Sequence, residues 1–441
     1  MIKRIAILFA LTGAAYGFSV LALKYLAAQA EVNQVAKIAE LDSLIQFLIG
    51  LIGFGMQTEA IRNISFSLDW RKDLVEAQAA RETMAVLLLS LTLVGVLKEY
   101  YFYFAMAPLL AASADYALYA RGLATLGAFT AFLRVVFPLG VTLIAAVYFS
   151  GHVFLVYALA TALVYLVSNG LIYFWLGVPF QYRISLKSLQ LYLKTVPIGI
   201  INIAFYFFGL GILMLAQPFF TPDQFVVSFV ALKFYLIFKG GIRVIHQGFV
   251  SRMNEEMVCM TIDKIAIMLG VIFFGTLAIF PKTVIPLAFG SRFSNDQMLF
   301  AGIGLAAVIF SVFSSGTTKA LLDRKEIQVM KAILISVLFS SLLFLAIFFF
   351  VTKSTDALIT ALLGGELFFS ISLAAKFFSG EQVKQRVFFL IVVFLSLVLP
   401  MSLKLLWGDS LAVYVTSFML LGVALLVFNR KNLVLPNIVN E

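Results

Sequence analysis

Residues 224–249 read QFVVSFVALKFYLIFKGGIRVIHQGF, and this stretch decides the fold class. Between Phe225 and Phe238 every side chain except Ser228 and Lys233 is apolar or aromatic, so a helix here lies in lipid. Lys233 falls about nine residues, roughly 14 Å, below its start, close to a bilayer midplane. An ammonium at that depth costs about 2.5–3.5 kcal/mol on insertion scales, which directs it toward a polar cavity or a partner. The plainer alternative is a lysine that snorkels or pairs structurally.

The rest of the chain has the same character. At 441 residues, 62% hydrophobic and 12% charged, with mean hydropathy +1.04, it has too little polar surface for a soluble globule. The expected class is an all-α integral membrane protein. Its net charge of +10 does not point to nucleic acid, because the basic residues are scattered among short loops between apolar runs. The single cysteine, Cys259, leaves no internal disulfide, and His152 and His246 are too far apart for a metal site. No phosphate-binding loop, nucleophile elbow or His-Glu cluster is visible, so neither catalysis nor a cofactor is expected. Lys3 and Arg4 precede an apolar run over residues 5–23, and Ala28-Gln29-Ala30 mimics a signal-peptidase site. The run exceeds a signal-peptide core, so it reads as a retained first helix.

Fourteen apolar spans are long enough to cross a bilayer, beginning near residues 5, 38, 82, 108, 135, 153, 194, 224, 264, 297, 330, 356, 386 and 409; a count of twelve is the alternative. Lys98, Arg121 and Arg134 interrupt the fourth and fifth. The positive-inside rule supplies an independent test, since Lys and Arg should concentrate in alternate loops. With the N-terminus inside, most of the 32 basic residues fall on the cytoplasmic side, Arg134, Lys239 and Arg386 among them. Lys24, Lys37, Lys98, Arg121, Lys282, Arg292, Lys353 and Lys404 fall outside. Both termini are therefore expected in the cytoplasm.

A long cytoplasmic connection over residues 177–194 separates six spans from eight, which suggests an N-lobe over residues 1–180, a C-lobe over 181–380 and two additional helices over 381–441. A weak repeat supports two lobes. NQVAKIAELDSLIQF from Asn33 resembles DQFVVSFVALKFYLIF from Asp223, aligning Gln34 with Gln224 and bringing Asp42 near the depth of Lys233. A repeat in the same orientation implies pseudo-symmetric lobes around a central cavity.

Charges in the spans are the candidate functional groups. Lys233, with Lys24 near the outer end of the first helix and Arg121 in the fourth, would suit an anionic, phosphate-bearing substrate. Asp42 is a candidate for an ion pair or for proton or sodium coupling. Glu59 and Arg62, three apart at a cytoplasmic helix end, are candidates for a gate or a headgroup contact. Glu366 follows Gly364-Gly365 in the twelfth span and is expected to contact a neighbouring helix. Gly50, Gly53 and Gly55 loosen the second helix, and Pro138 and Pro197 are candidate kinks.

Two segments, LDSLIQFLIGLIGFGMQTEAIRNIS over residues 41–65 and ALKFYLIFKGGIRVIHQGFVSRMNE over 231–255, together with the span layout, resemble the multidrug/oligosaccharidyl-lipid/polysaccharide (MOP) exporter superfamily, in its branch of Wzx-type O-antigen flippases. The resemblance implies an alternating-access flippase in the bacterial inner membrane. It would turn undecaprenyl-pyrophosphate-linked oligosaccharide toward the periplasm among membrane lipids, with a polysaccharide polymerase and chain-length proteins as partners. Related lipid II flippases carry basic residues on the first, second and eighth helices. Lys24 and Lys233 match the first and eighth, whereas the second carries Asp42 here. The competing readings are a cation-coupled multidrug or small-molecule exporter of the same superfamily, which needs acidic residues in the lobes, and a membrane enzyme or polymerase subunit, which the short outer loops disfavour.

Overall fold

In hydrocarbon no water satisfies backbone N–H and C=O groups, so long apolar runs close their own hydrogen bonds as helices. The computed structural model describes residues 2–93, 101–249, 253 and 255–429, and among them every regular element is helical. Among the described residues, ten helical stretches are long and apolar enough to cross a membrane. Lys98, Arg252, Arg430 and Lys431 lie outside the described residues, as do the side chains of Lys3, Arg4, Arg62 and Arg292.

The chain forms two compact units, Met1–Met214 and Leu215–Glu441. The first holds α1 (Ile2–Gln29), α2 (Val32–Gly53), α3 (Met56–Phe66), α4 (Trp70–Leu93), the short α5 (Tyr101–Phe104), α6 (Ala107–Ala111) and α7 (Asp115–Ala120), then α8 (Ala124–Tyr148), α9 (Val153–Leu176), α10 (Gln190–Lys194) and α11 (Val196–Tyr206). After α12 (Ile212–Ala216), at the boundary, the second holds α13 (Pro222–Phe249), α14 (Glu256–Ile279), α15 (Pro281–Phe289), α16 (Gln297–Val312), α17 (Ser314–Leu322), α18 (Glu326–Phe350), α19 (Thr355–Phe377), α20 (Gly380–Leu395), α21 (Val398–Trp407) and α22 (Leu411–Asn429). The last helices belong to the second unit, where α20 and α22 pack on α14.

The fourth and fifth spans differ from expectation. The turn between them lies at Arg121–Leu123, where Gly122 takes φ +73°, and not at Arg134. Arg134 lies well inside α8. Its guanidinium is neutralised there by Asp115 at 3.4 Å and by Ser113, Ser168 and Asn169 at 2.8–3.0 Å, above the Tyr165 ring. Likewise α4 starts at Trp70, well before the expected residue 82, because its polar residues find partners. Gln78 donates to Ala111 O and accepts from Tyr116, while Arg81 reaches Leu110 O and stacks over Tyr116. Pro197 sits in the first turn of α11, where a missing N–H costs nothing, and the chain instead kinks at Phe208 and Gly209.

The repeat has a structural counterpart inside each unit. Gln34, in the first turn of α2, accepts from Phe154 N at the start of α9; Gln224, in the first turn of α13, donates to Lys353 O just before α19. In both units the glutamine ties the same two helices together.

Helix α2 breaks at Phe54 and Gly55, both at positive φ. A Cβ at Gly55 would lie 2.6 Å from Gly199 N and 2.8 Å from Thr195 O, so the break fits against the start of α11 with no room for a methyl group. The left-handed backbone costs an L-residue about 1–2 kcal/mol and overpacking a similar amount. Gly55→Ala is therefore expected to destabilise by about 3 kcal/mol, read as a lower melting temperature in detergent; an unchanged melting temperature would show that the break relaxes freely.

Candidate functional site

One face of α13 carries Tyr235, Lys239, Ile242 and His246, spaced four, three and four apart and so in line along the helix. Glu366, in the middle of α19, meets this face. Its Oε1 accepts from the Tyr235 hydroxyl and from the Lys239 ammonium, each at 2.5 Å. The Glu366 side chain is 2% exposed and that of Lys239 12%, and the ammonium also lies over the rings of Tyr235 (4.5 Å) and Phe310 (5.0 Å). Gly364 lets α18 approach this part of α19, since a Cβ there would meet Leu343 at 2.6 Å. The result is a carboxylate, an ammonium and a phenol inside a predicted membrane span. Such a trio holds one negative and one positive charge together, and a proton or another cation entering it must disturb the pair.

In the first unit Asp42, half-buried on α2, receives the Tyr157 hydroxyl from α9 at 3.5 Å, and Tyr206 donates to the neighbouring Ser43 O at 2.8 Å. The two units thus each set a carboxylate against a tyrosine between the helices that the glutamines join. The carboxylate is on the earlier helix in the first unit and on the later helix in the second.

The expected cations are distributed differently. Lys233 is half-buried with its ammonium 5.4 Å from the Phe229 ring, about half a turn round α13 from Tyr235 and Lys239. Lys24 is half-buried on α1. Arg121 is exposed and stacks over Trp70 at 4.8 Å, beside the bond from Ser65 to Ala120 O. It therefore sits at the same end as the α3–α4 turn, which the sequence reading places on the opposite side from Arg121, because the fourth span finishes at this turn. Glu59 lines a small cavity of about 90 Å³ with Asn63, Asp73, Glu76 and Lys194. Lys239, read from the sequence as a loop charge, is instead buried against Glu366. The signal for it was the shared face with Tyr235 and His246, together with an acid in mid-span on α19.

A second buried network lies further along the same face. Asp263 accepts from Ser314 Oγ (3.0 Å), Ser315 N (2.8 Å), Ser315 Oγ (2.7 Å) and Arg386 Nε (2.8 Å), with its side chain and that of Arg386 at 0% and 1% exposure. His246 Nε2 lies 3.2 Å from Ser314 Oγ. Burial, aided by Arg243, lowers the His246 pKa to about 4. The folded protein then binds fewer protons here than the unfolded chain, whose histidine titrates near 6.5. This site leaves stability untouched above that pH and removes it as pH falls from about 6.5 toward about 4. By pH 5 the loss is about 2 kcal/mol. His246→Gln is expected to flatten the fall in melting temperature between pH 7 and pH 5, and an identical acid profile would contradict the assignment.

No family model matches the sequence, and no curated protein does. In three dimensions the chain is similar to a MATE transporter solved in complex with MaL6 (TM-score 0.55, 15% identity, 88% of this chain and 97% of that one). It is similar also to an inward-facing multidrug resistance MATE family transporter of the MOP superfamily (TM-score 0.54, 16% identity, 89% and 99%). A third is a eukaryotic MATE transporter (TM-score 0.51, 14% identity, 88% and 99%). The chain is a multi-pass membrane protein with a MATE-like transporter fold.

Proposed function

We propose that this chain is a cation-coupled exporter of small organic molecules, working by alternating access in a bacterial inner membrane. The observation that carries this reading is the likeness to MATE transporters over nearly the whole chain, two of which are described as multidrug resistance transporters. Two carboxylates, one half-buried and one buried, add a means of coupling that the exporter reading requires. Asp42 in the first unit and Glu366 in the second are the groups at which a proton or sodium ion exchanges. The division into residues 1–180, 181–380 and 381–441, and the roles of Glu59 and Arg62 at a cytoplasmic gate, belong to the same proposal.

A second reading, the turning of undecaprenyl-pyrophosphate-linked oligosaccharide with a polymerase and chain-length proteins as partners, rests on Lys24 and Lys233, one half-buried cation in each unit, with Arg121 as a third. One pair of measurements separates the two. Cells lacking their own exporters, and expressing this chain, are expected to extrude ethidium in a manner abolished by dissipating the proton and sodium gradients and by Asp42→Asn. Loss of surface polysaccharide on deletion, with no ethidium efflux on expression, would overturn the exporter reading in favour of the flippase.

A further inference from the structure

Between α9 and α10 residues 178–185 form no helix, and this segment is strapped along α4. Arg183 N donates to Glu82 Oε2 at 2.5 Å, Ser185 N donates to Thr83 Oγ1 at 2.8 Å, and the Tyr182 hydroxyl reaches Glu82 O. These bonds use the backbone and a fully buried carboxylate, so the strap is built in and not a loose loop. Its side chains are nevertheless arranged unlike a solvated linker. Phe180, Ile184, Leu186 and Leu193 are 51–74% exposed, interleaved with exposed Arg183, Lys187 and Lys194. Large apolar side chains alternating with basic ones suit a membrane interface, where the first enter the acyl region and the second meet headgroups.

Beneath the strap is an open cavity of about 430 Å³, lined by Lys72, Val75, Glu76, Ala79, Arg183, Ile184, Ser185 and Ser188. That volume lies in the range of small-molecule sites. Two cations and two hydroxyls outnumber the single carboxylate, Glu76, so the lining favours an anion that also accepts hydrogen bonds. On the alternation of basic loops this face is cytoplasmic, where the leaflet is rich in anionic lipid and each nearby Lys or Arg contributes about 1 kcal/mol of attraction.

We infer that this cavity seats the phosphate headgroup of an anionic phospholipid from the cytoplasmic leaflet. Lys72 and Arg183 bind the phosphate, Ser185 and Ser188 donate to its oxygens, and Phe180, Ile184 and Leu186 lie along the acyl chains. The site is independent of the transported substrate, and the inference stands or falls separately from the export reading.

The test uses the full-length protein in nanodiscs made from equal parts phosphatidylglycerol and phosphatidylcholine, with retained lipid counted by native mass spectrometry. The wild type is expected to keep one phosphatidylglycerol in preference to phosphatidylcholine, and Lys72→Gln with Arg183→Gln to weaken that preference about tenfold or more, as the loss of two contacts near a charged surface implies. Lys187→Gln, on the same strap but outside the cavity, is the control and should leave the preference unchanged. An equal loss from Lys187→Gln would mean diffuse surface charge and overturn the site. So would displacement of the bound lipid by millimolar inorganic phosphate, which would identify a free-anion site. Because Arg183 anchors the strap through its backbone, the glutamine variant keeps that bond. Should the double variant still fail to fold, a wild type that shows no phosphatidylglycerol preference refutes the inference unaided.

Discussion

Replacing Glu366 by glutamine is expected to abolish coupled export and to destabilise the second unit by about 5 kcal/mol, the larger of two effects at this site. The substitution keeps the volume and the acceptor for Tyr235 but removes the Glu366 charge against which the Lys239 ammonium is buried. Stripping one partner from a buried ion pair costs about 3–5 kcal/mol, and the compact, strongly hydrated ammonium puts this case at the upper end. Lys239→Met leaves the opposite charge. Because a carboxylate in general is neutralised nearer to pH 7 than an ammonium is, this variant should be somewhat more stable than the first. Glu366→Gln combined with Lys239→Met removes both charges and should return the melting temperature close to that of the wild type, because a buried ion pair contributes little net stability compared with neutral residues of similar size. Ethidium efflux from vesicles under an imposed proton or sodium gradient distinguishes coupling from scaffolding. If the stable double variant still exports, the pair is structural and Glu366 has no part in coupling.

The pattern of long apolar helices was legible because hydrocarbon forces the chain into helices of bilayer length, and most span starts fall within a few residues of those read from hydropathy. Where the reading went astray, one physical cause recurs. A charge inside an apolar run reads as a loop marker, which puts Arg134, Lys239 and Arg386 in connections. Each is instead neutralised by a residue distant in the chain. Asp115 is 19 residues from Arg134, Glu366 is 127 from Lys239, and Asp263 is 123 from Arg386. Periodicity reports which side of a helix a residue occupies and nothing about what another helix brings to that side. Lys233 stands out in the sequence because its neighbours are apolar, yet the ion pair with Glu366 is made by Lys239, about one and a half turns further on. The glutamines were a better guide. Gln34 and Gln224 aligned in a short and otherwise weak repeat, and each joins the same two helices of its own unit.

Arg386→Met should loosen α20 from its unit, at a cost of about 3–5 kcal/mol. The guanidinium supplies the only cationic hydrogen bond described on Asp263, whose other three donors are Ser314 Oγ, Ser315 N and Ser315 Oγ. With arginine gone, the carboxylate keeps the N-terminus of α17 as partial compensation, since backbone N–H groups there favour negative charge. Asp263→Asn should be worse. An arginine does not deprotonate in a protein, so the charge left behind cannot be neutralised, and among the described residues its bond to Gln382 O and the Phe378 ring at 4.3 Å remain to solvate it. The ordering of the two variants is therefore the opposite of what loss of a single hydrogen bond would give, because asparagine could still accept from both serines. Limited proteolysis should cut the connection between α19 and α20 at Phe378–Ser379 faster in either variant, with Asp263→Asn the faster of the two, while ethidium binding in the remaining protein is unchanged. An unfolding free energy for Arg386→Met within about 1 kcal/mol of the wild type would mean that α20 is held by its packing on α14 and α16, and that the buried pair contributes nothing to its docking.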